Sequence, residues 1–242
     1  MPFAVRKNRI GKETYMKETE LVERKIVEYF TKDTVFKEIT PKEYADFSYP
    51  RRIRLMNFTT RLYRVYGFGH LMTMRTDTRF GMQLLTCSFM PSEGKNVPYL
   101  LIDIMLMGKK RMIFVEYYDC TKKQAPQPLL DRICRKYAGL PDHMEKPAWY
   151  IPERADYSLI KDVPRDLKKT TLAHVAVDSV RAYKAAAFSA SSEDNDLSGL
   201  IEFRQRMIDE GNPSSAILQK TFGKEGYELF FNSCIMPTDC TE

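Results

Sequence analysis

The chain has 242 residues, 43% of them hydrophobic and 29% charged, with a formal net charge of +6. No run of 18 apolar residues occurs, so a membrane span is not expected, and the charged start "MPFAVRKNRIGKETYMKE" lacks an apolar signal core, which reads as an intracellular protein, cytoplasmic or, in a photosynthetic eukaryote, the mature form of a plastid protein. Five widely spaced cysteines (Cys87, Cys120, Cys134, Cys234, Cys240) without a CxxC pair argue against a disulfide framework, an iron–sulfur site or a zinc knuckle. Three histidines, His70, His143 and His174, form no metal-ligand spacing. The basic residues gather in "YPRRIRL", "GKKR" and "RDLKK". A basic excess fits an acidic protein, carboxylates or phosphates on a ligand, or nucleic acid, but none of the clusters is a long tract and no nucleic-acid motif accompanies them, so a nucleic-acid partner is not expected and most of these charges read as solvated surface.

In chain order, residues 17–32 carry Leu21, Val22, Ile26, Tyr29 and Phe30 at helical spacing and predict an amphipathic helix. An irregular, proline-containing stretch follows through "ITPKEYADFSYP". Residues 52–120 read as a β meander of five segments separated by Gly, Pro, Asn and Asp signals, with "MGKKR" as a tight hairpin connection. The long apolar runs imply strands covered on both faces. The second half turns helical. "QPLLDRICRKYAGLP" ends at Gly139, and "KKTTLAHVAVDSVRAYKAAAF" is a long helix. "SASSEDNDLSG" reads as a mobile loop. "LIEFRQRMIDEG" and "PSSAILQKTFGKEGYELFFNSCIM" complete the chain, with Pro213 suited to the first helical position after an Asn212 cap. Helix, strands, helices in that order predict an α+β fold. One antiparallel sheet is sandwiched between helical layers, with no repeat and no linker dividing residues 1–242.

One residue breaks the pattern of the strands. Asp103 stands in the middle of "YLLIDIMLM". A buried carboxylate is costly unless paired or neutralised. In apolar surroundings its pKa rises, which makes it a proton donor near neutral pH. Strand alternation puts it on one face with Leu101, Met105 and Met107, an apolar wall with one polar group, as in small-ligand sites. The alternative is a core face whose acid pairs with an arginine. Methionines across the sheet (Met72, Met74, Met82, Met90 and Met112 besides those two) suit either a core or a pocket for a flat, polarisable ligand. No GxGxxG, Walker or GxSxG motif is present.

Four segments resemble the ferredoxin-dependent bilin reductases, relatives of phycocyanobilin:ferredoxin oxidoreductase and red chlorophyll catabolite reductase. They are "LLTCSFMP" (84–91), "VPYLLIDIM" with "MIFVEYYDCT", "PAWYIPERADYSL" (147–159, with Trp149, Asp156 and Tyr157) and "NPSSAILQKTFGKEGYELFF" (212–231). The resemblance implies an α/β/α sandwich holding an open-chain tetrapyrrole between the sheet and the C-terminal helices, with no tightly bound metal or flavin. Electrons would arrive singly from reduced ferredoxin or flavodoxin, and protons from the protein, through a bilin radical. Asp103 falls on the family's catalytic aspartate. Thr86 stands where many relatives have His or Asn, Met72 or Met74 where the phycocyanobilin enzyme has Glu (His70 lies near but does not fill that place), and Asn212 where some relatives have an acid. The resemblance thus implies Asp103 as proton donor, with Thr86 and Asn212 positioning the ligand or a water. It implies Met74, Met105, Met107 and Ile217 as ligand contacts, and Arg111 and Arg204, with Lys109 and Lys110, for the propionates. The rival reading on the same scaffold is a non-catalytic tetrapyrrole-binding protein.

Overall fold

The computed structural model describes residues 17–121, 126–168, 170–189 and 196–238. Helix α1 (Glu18–Thr31) has acids in its first turn, where they stabilise the positive end of the helix dipole, and buries the stripe Val22, Ile26 and Phe30. A short strand β1 (Phe36–Glu38), a single helical turn α2 (Lys42–Ala45) and β2 (Asp46–Tyr49) occupy the stretch expected to be irregular. Neither strand has an alternating apolar face: β1 is exposed throughout and β2 has no buried residue. Both exist because β3 (Met56–Val65) offers them backbone partners.

The meander then runs β3, β4 (Gly69–Thr78), β5 (Gln83–Pro91), β6 (Tyr99–Met107) and β7 (Lys110–Tyr118), every neighbour antiparallel. Two turns show why glycine is required. Gly108, at φ 57°, closes the β6–β7 hairpin. Gly69 sits at φ 138° so close to β5 that a Cβ would lie 2.2 Å from the Met90 carbonyl oxygen. After helix α3 (Pro128–Tyr137), strand β8 (Leu159–Asp162) adds to β7. At four residues it is too short to show a period. The sheet order is β1-β3-β4-β5-β6-β7-β8, with β2 also on β3.

Helices α4 (Thr171–Ser189), α5 (Ser198–Asp209) and α6 (Ser215–Phe230), then a π turn (Phe231–Ile235), complete the chain. Asn212 Oδ1 accepts from the Ser214 amide at 3.0 Å in the turn before the helix, but the helix begins at Ser215 with Ser214 at the cap position and no side-chain cap, so neither the expected Asn212 cap nor the Pro213 start is seen. Gly223, at φ 75° and ψ 174°, breaks the helical path within α6. The polar 189–199 stretch lies largely outside the described residues, as does Cys240.

Both sheet faces are covered, giving the expected α/β/α sandwich. One core joins the sheet to α1, α3 and α4, with Phe30 edge-on to Phe68 at 4.8 Å and to Phe89 at 4.9 Å between ring centres. Each such fully buried ring is worth roughly 2–3 kcal/mol. The other core joins the opposite face to α5, α6 and the π turn. Among the described residues no helix is long and apolar enough to cross a membrane.

Candidate active site

Alternation divides the strand side chains between the two cores. Ile102 and Ile104 of β6 enter the α1/α4 core, while Leu101, Asp103 and Met105 face the other way. There, between the sheet and α5, α6 and the π turn, is a partly open cavity of about 350 Å³, within the range of small-molecule sites. Its walls are mostly apolar: Met56, Phe58, Met74, Leu84, Phe114 and Ile217 among others.

Asp103 is the polar centre of the sheet wall. The β5–β6 register sets Thr86 directly opposite it, and the Thr86 hydroxyl donates a short hydrogen bond to Asp103 Oδ1. Burial pushes the carboxyl up, the Thr86 bond and the Arg154 charge pull it partly back, and it settles at about 6 instead of 3.8. The group is therefore poised to hold and release a proton near neutral pH.

A second polar cluster was not foreseen. Glu116 of β7 lines the same cavity and is buried. The Tyr118 hydroxyl donates to its Oε1 at 3.0 Å. Arg154 pairs with Glu116 and also makes a two-bond pair with Glu145, one bond measuring 2.8 Å. Burial, and then the nearby Asp103 and Glu145 charges, push Glu116 up to about 7 against the pull of Arg154 and Tyr118. The signal was legible: Glu116 is an acid inside the apolar strand "RMIFVEYY", and it alternates with Phe114 and Tyr118 as Asp103 does with its neighbours. Arg154 and Glu145 had no such signal, because they reach the cavity from loops.

Of the other residues expected at the site, Thr86, Met74, Met105, Ile217 and Asn212 line the cavity. The Asn212 amide, however, is committed to the α5–α6 turn: Nδ2 donates to the Met207 carbonyl at 3.2 Å and to the Tyr227 hydroxyl at 2.8 Å. It shapes the wall rather than offering a free donor. Three residues lie elsewhere. Met107 is 44% exposed, past the point where the hairpin leaves the cavity. Arg111 is on the opposite sheet face, paired with Glu18 of α1 at 2.5 Å, because its position in β7 has the other parity from Phe114 and Glu116. Arg204 donates to the Met236 carbonyl and the Thr238 hydroxyl, both at 3.0 Å, and so fastens the C-terminal segment. Lys109 and Lys110 are exposed at the hairpin turn. His70 is buried but is not part of the cavity wall.

The C-terminal wall is fixed to the sheet through Ser88, which accepts from or donates to the Tyr99 hydroxyl at 2.9 Å and donates to the Ile235 carbonyl at 2.5 Å. Trp149 closes one side. Its Nε1 donates to the Gly211 carbonyl at 2.8 Å, Arg206 stacks 4.4 Å from its ring centre, and its neighbour Tyr150 lines the cavity.

No family model matches the chain, and no curated protein matches it. Among solved structures it is similar to phytochromobilin synthase from tomato, determined in complex with biliverdin. The TM-score is 0.69 over 89% of this chain and 81% of that one, at 13% sequence identity. The chain therefore shares the fold of that structure.

Proposed function

We propose that the protein is a bilin reductase-like enzyme that reduces biliverdin or a related linear tetrapyrrole. The observation that carries this reading is a protonatable aspartate, bonded to Thr86, on the apolar wall of a cavity between the sheet and the C-terminal helices. The fold, shared with an enzyme solved with biliverdin bound, supports it. In this reading the tetrapyrrole lies against the sheet. Asp103 delivers a proton to a pyrrole nitrogen or lactam oxygen, which makes the conjugated system easier to reduce. Electrons arrive one at a time from reduced ferredoxin or flavodoxin, so the ligand passes through a radical. Thr86 does not supply the proton: an alcohol is a poor acid at neutral pH. Its hydrogen bond orients the carboxyl and stabilises the carboxylate left after transfer.

The test is anaerobic incubation with biliverdin and reduced ferredoxin, followed by absorbance. Wild type should show a binding shift and then loss of the biliverdin band. Asp103→Asn should show the shift alone, with turnover lowered by about 10²–10⁴. The presence of Thr86 where many relatives carry His or Asn, and of Met72 or Met74 where the phycocyanobilin enzyme carries Glu, favours one rival, a protein that binds the tetrapyrrole without reducing it. A binding shift with no further change in wild type would establish that rival.

A further inference from the structure

A two-electron reduction consumes two protons, and Asp103 holds one. Glu116 faces the same cavity from the adjacent strand. It stands opposite Leu101 in the β6–β7 register, two residues from Asp103 on the same face. That diagonal relation separates the two backbone positions by roughly 7–8 Å, a span one bound tetrapyrrole can bridge. The groups around Glu116 are Tyr118 on its own strand, Asp103 and Tyr99 on β6, and Arg154, Tyr150 and Glu145 from the segment before β8. The Tyr118 and Arg154 contacts both fall on Oε1, which leaves Oε2 for a proton.

The charge count of the cluster is what a donor requires. One guanidinium serves two carboxylates. With Glu116 protonated, Arg154 and Glu145 form a neutral pair held by two bonds. With Glu116 ionised, the carboxylate keeps both the Arg154 contact and the Tyr118 hydrogen bond. The protonated state leaves the cluster neutral, and the ionised state leaves one net negative charge shared by two carboxylates on Arg154, which favours holding the proton until the ligand takes it.

We propose that Glu116 is the second proton donor of the cavity, supplying the proton that follows the second electron to a linear tetrapyrrole protonated first by Asp103. The inference rests on the reading under Proposed function. In balance, the tetrapyrrole takes two electrons, one at a time, from a reduced iron–sulfur or flavin protein. The Asp103 O–H bond breaks as an N–H or O–H bond forms on the ligand. The Glu116 O–H bond breaks as a C–H bond forms on the reduced system. Water then reprotonates both carboxylates. Arg154 positions and steadies Glu116 and transfers nothing.

A merely structural Glu116 would pin the segment around Arg154, whose neighbour Ala155 donates to the Tyr117 carbonyl at 2.8 Å. Two substitutions separate the roles, because Glu116→Gln and Glu116→Asp both disturb the Arg154 contact but only the first removes the proton. The probe is biliverdin with photoreduced ferredoxin, counting electrons taken up per ligand by absorbance and radical by electron paramagnetic resonance. Glu116→Gln should bind biliverdin, accept one electron and accumulate at least about tenfold more radical than wild type. Glu116→Asp, still protonable, should recover much of the second step. In wild type the second step should slow as pH rises through about 7, the first through about 6. A Glu116→Gln protein that reduces biliverdin at the wild-type rate overturns the inference, as does equal failure of Glu116→Gln and Glu116→Asp. Wild type that does not reduce biliverdin overturns the reading on which the inference rests, a separate result.

Discussion

At the residue scale, Asp103 couples chemistry to stability. Its carboxyl titrates near 3.8 in an unfolded chain and near 6 in the folded one. Between those values the folded state binds the extra proton, so this group makes stability fall as pH rises from about 4 to about 6, and the full penalty persists above. Asp103→Asn keeps an oxygen for the Thr86 hydroxyl and removes the charge. Chemical denaturation should therefore show the variant more stable than wild type by about 2–3 kcal/mol at pH 8 and equal to it near pH 4. Equal stability at both values would place the carboxylate in a solvated setting and remove its rationale as an acid. The activity profile runs in the same direction: a donor that must be protonated loses effect as pH rises through about 6.

At the scale of elements, the cavity exists because α5, α6 and the π turn are held off the sheet by large side chains and tied to it by a few polar contacts. Ser88 is the tie whose loss is easiest to read. Ser88→Ala leaves the Tyr99 hydroxyl and the Ile235 carbonyl without that partner. The expected cost is about 1–3 kcal/mol in denaturation midpoints, with weaker biliverdin binding because the C-terminal wall loosens. The elements themselves were largely legible. The helix over 18–31, the five meander strands and the later helices follow from period and from Gly, Pro and Asn signals. β1, β2 and β8 were not, because three or four residues show no alternation and their only warrant is a partner strand distant in sequence. In the site, strand parity identified the cavity face of β6 but not where the cavity ends, so Met107 shares the parity of Asp103 and still lies outside it, and Arg111 was misplaced because parity was not applied to β7. The contributions of Glu145 and Arg154 depend on where a loop folds back, which no local pattern encodes.

At the scale of the molecule, the three basic clusters of the sequence meet. The Arg79 amide bonds the Leu55 carbonyl, which brings the 50–55 loop to the β4–β5 turn. Gln83 opposite Leu106 sets that turn beside the β6–β7 hairpin, where Arg165 bonds the Gly108 and Lys109 carbonyls. One end of the sheet thus presents Arg51, Arg54, Arg79, Lys109, Lys110 and Arg165, all exposed, next to the cavity residues Met56, Met82 and Met105. An acidic electron donor arriving here would stop close to the ligand. Stopped-flow reduction should slow severalfold between low salt and ~0.3 M, and Arg79→Glu with Lys109→Glu should raise the donor concentration needed for half-maximal rate. Rates indifferent to salt and to both reversals would place the donor elsewhere. The protein's single tryptophan, Trp149, offers a direct binding reporter beside the cavity. Biliverdin should quench its fluorescence stoichiometrically.

The central claim is that Asp103 protonates a tetrapyrrole held against the sheet. The most direct measurement is an anaerobic absorbance titration with pH of biliverdin bound to wild type and to Asp103→Asn. The account predicts the long-wavelength band of a protonated bilin in wild type, fading as pH rises, and its absence in a variant that binds equally well. Identical pH-dependent spectra in the two proteins would contradict it.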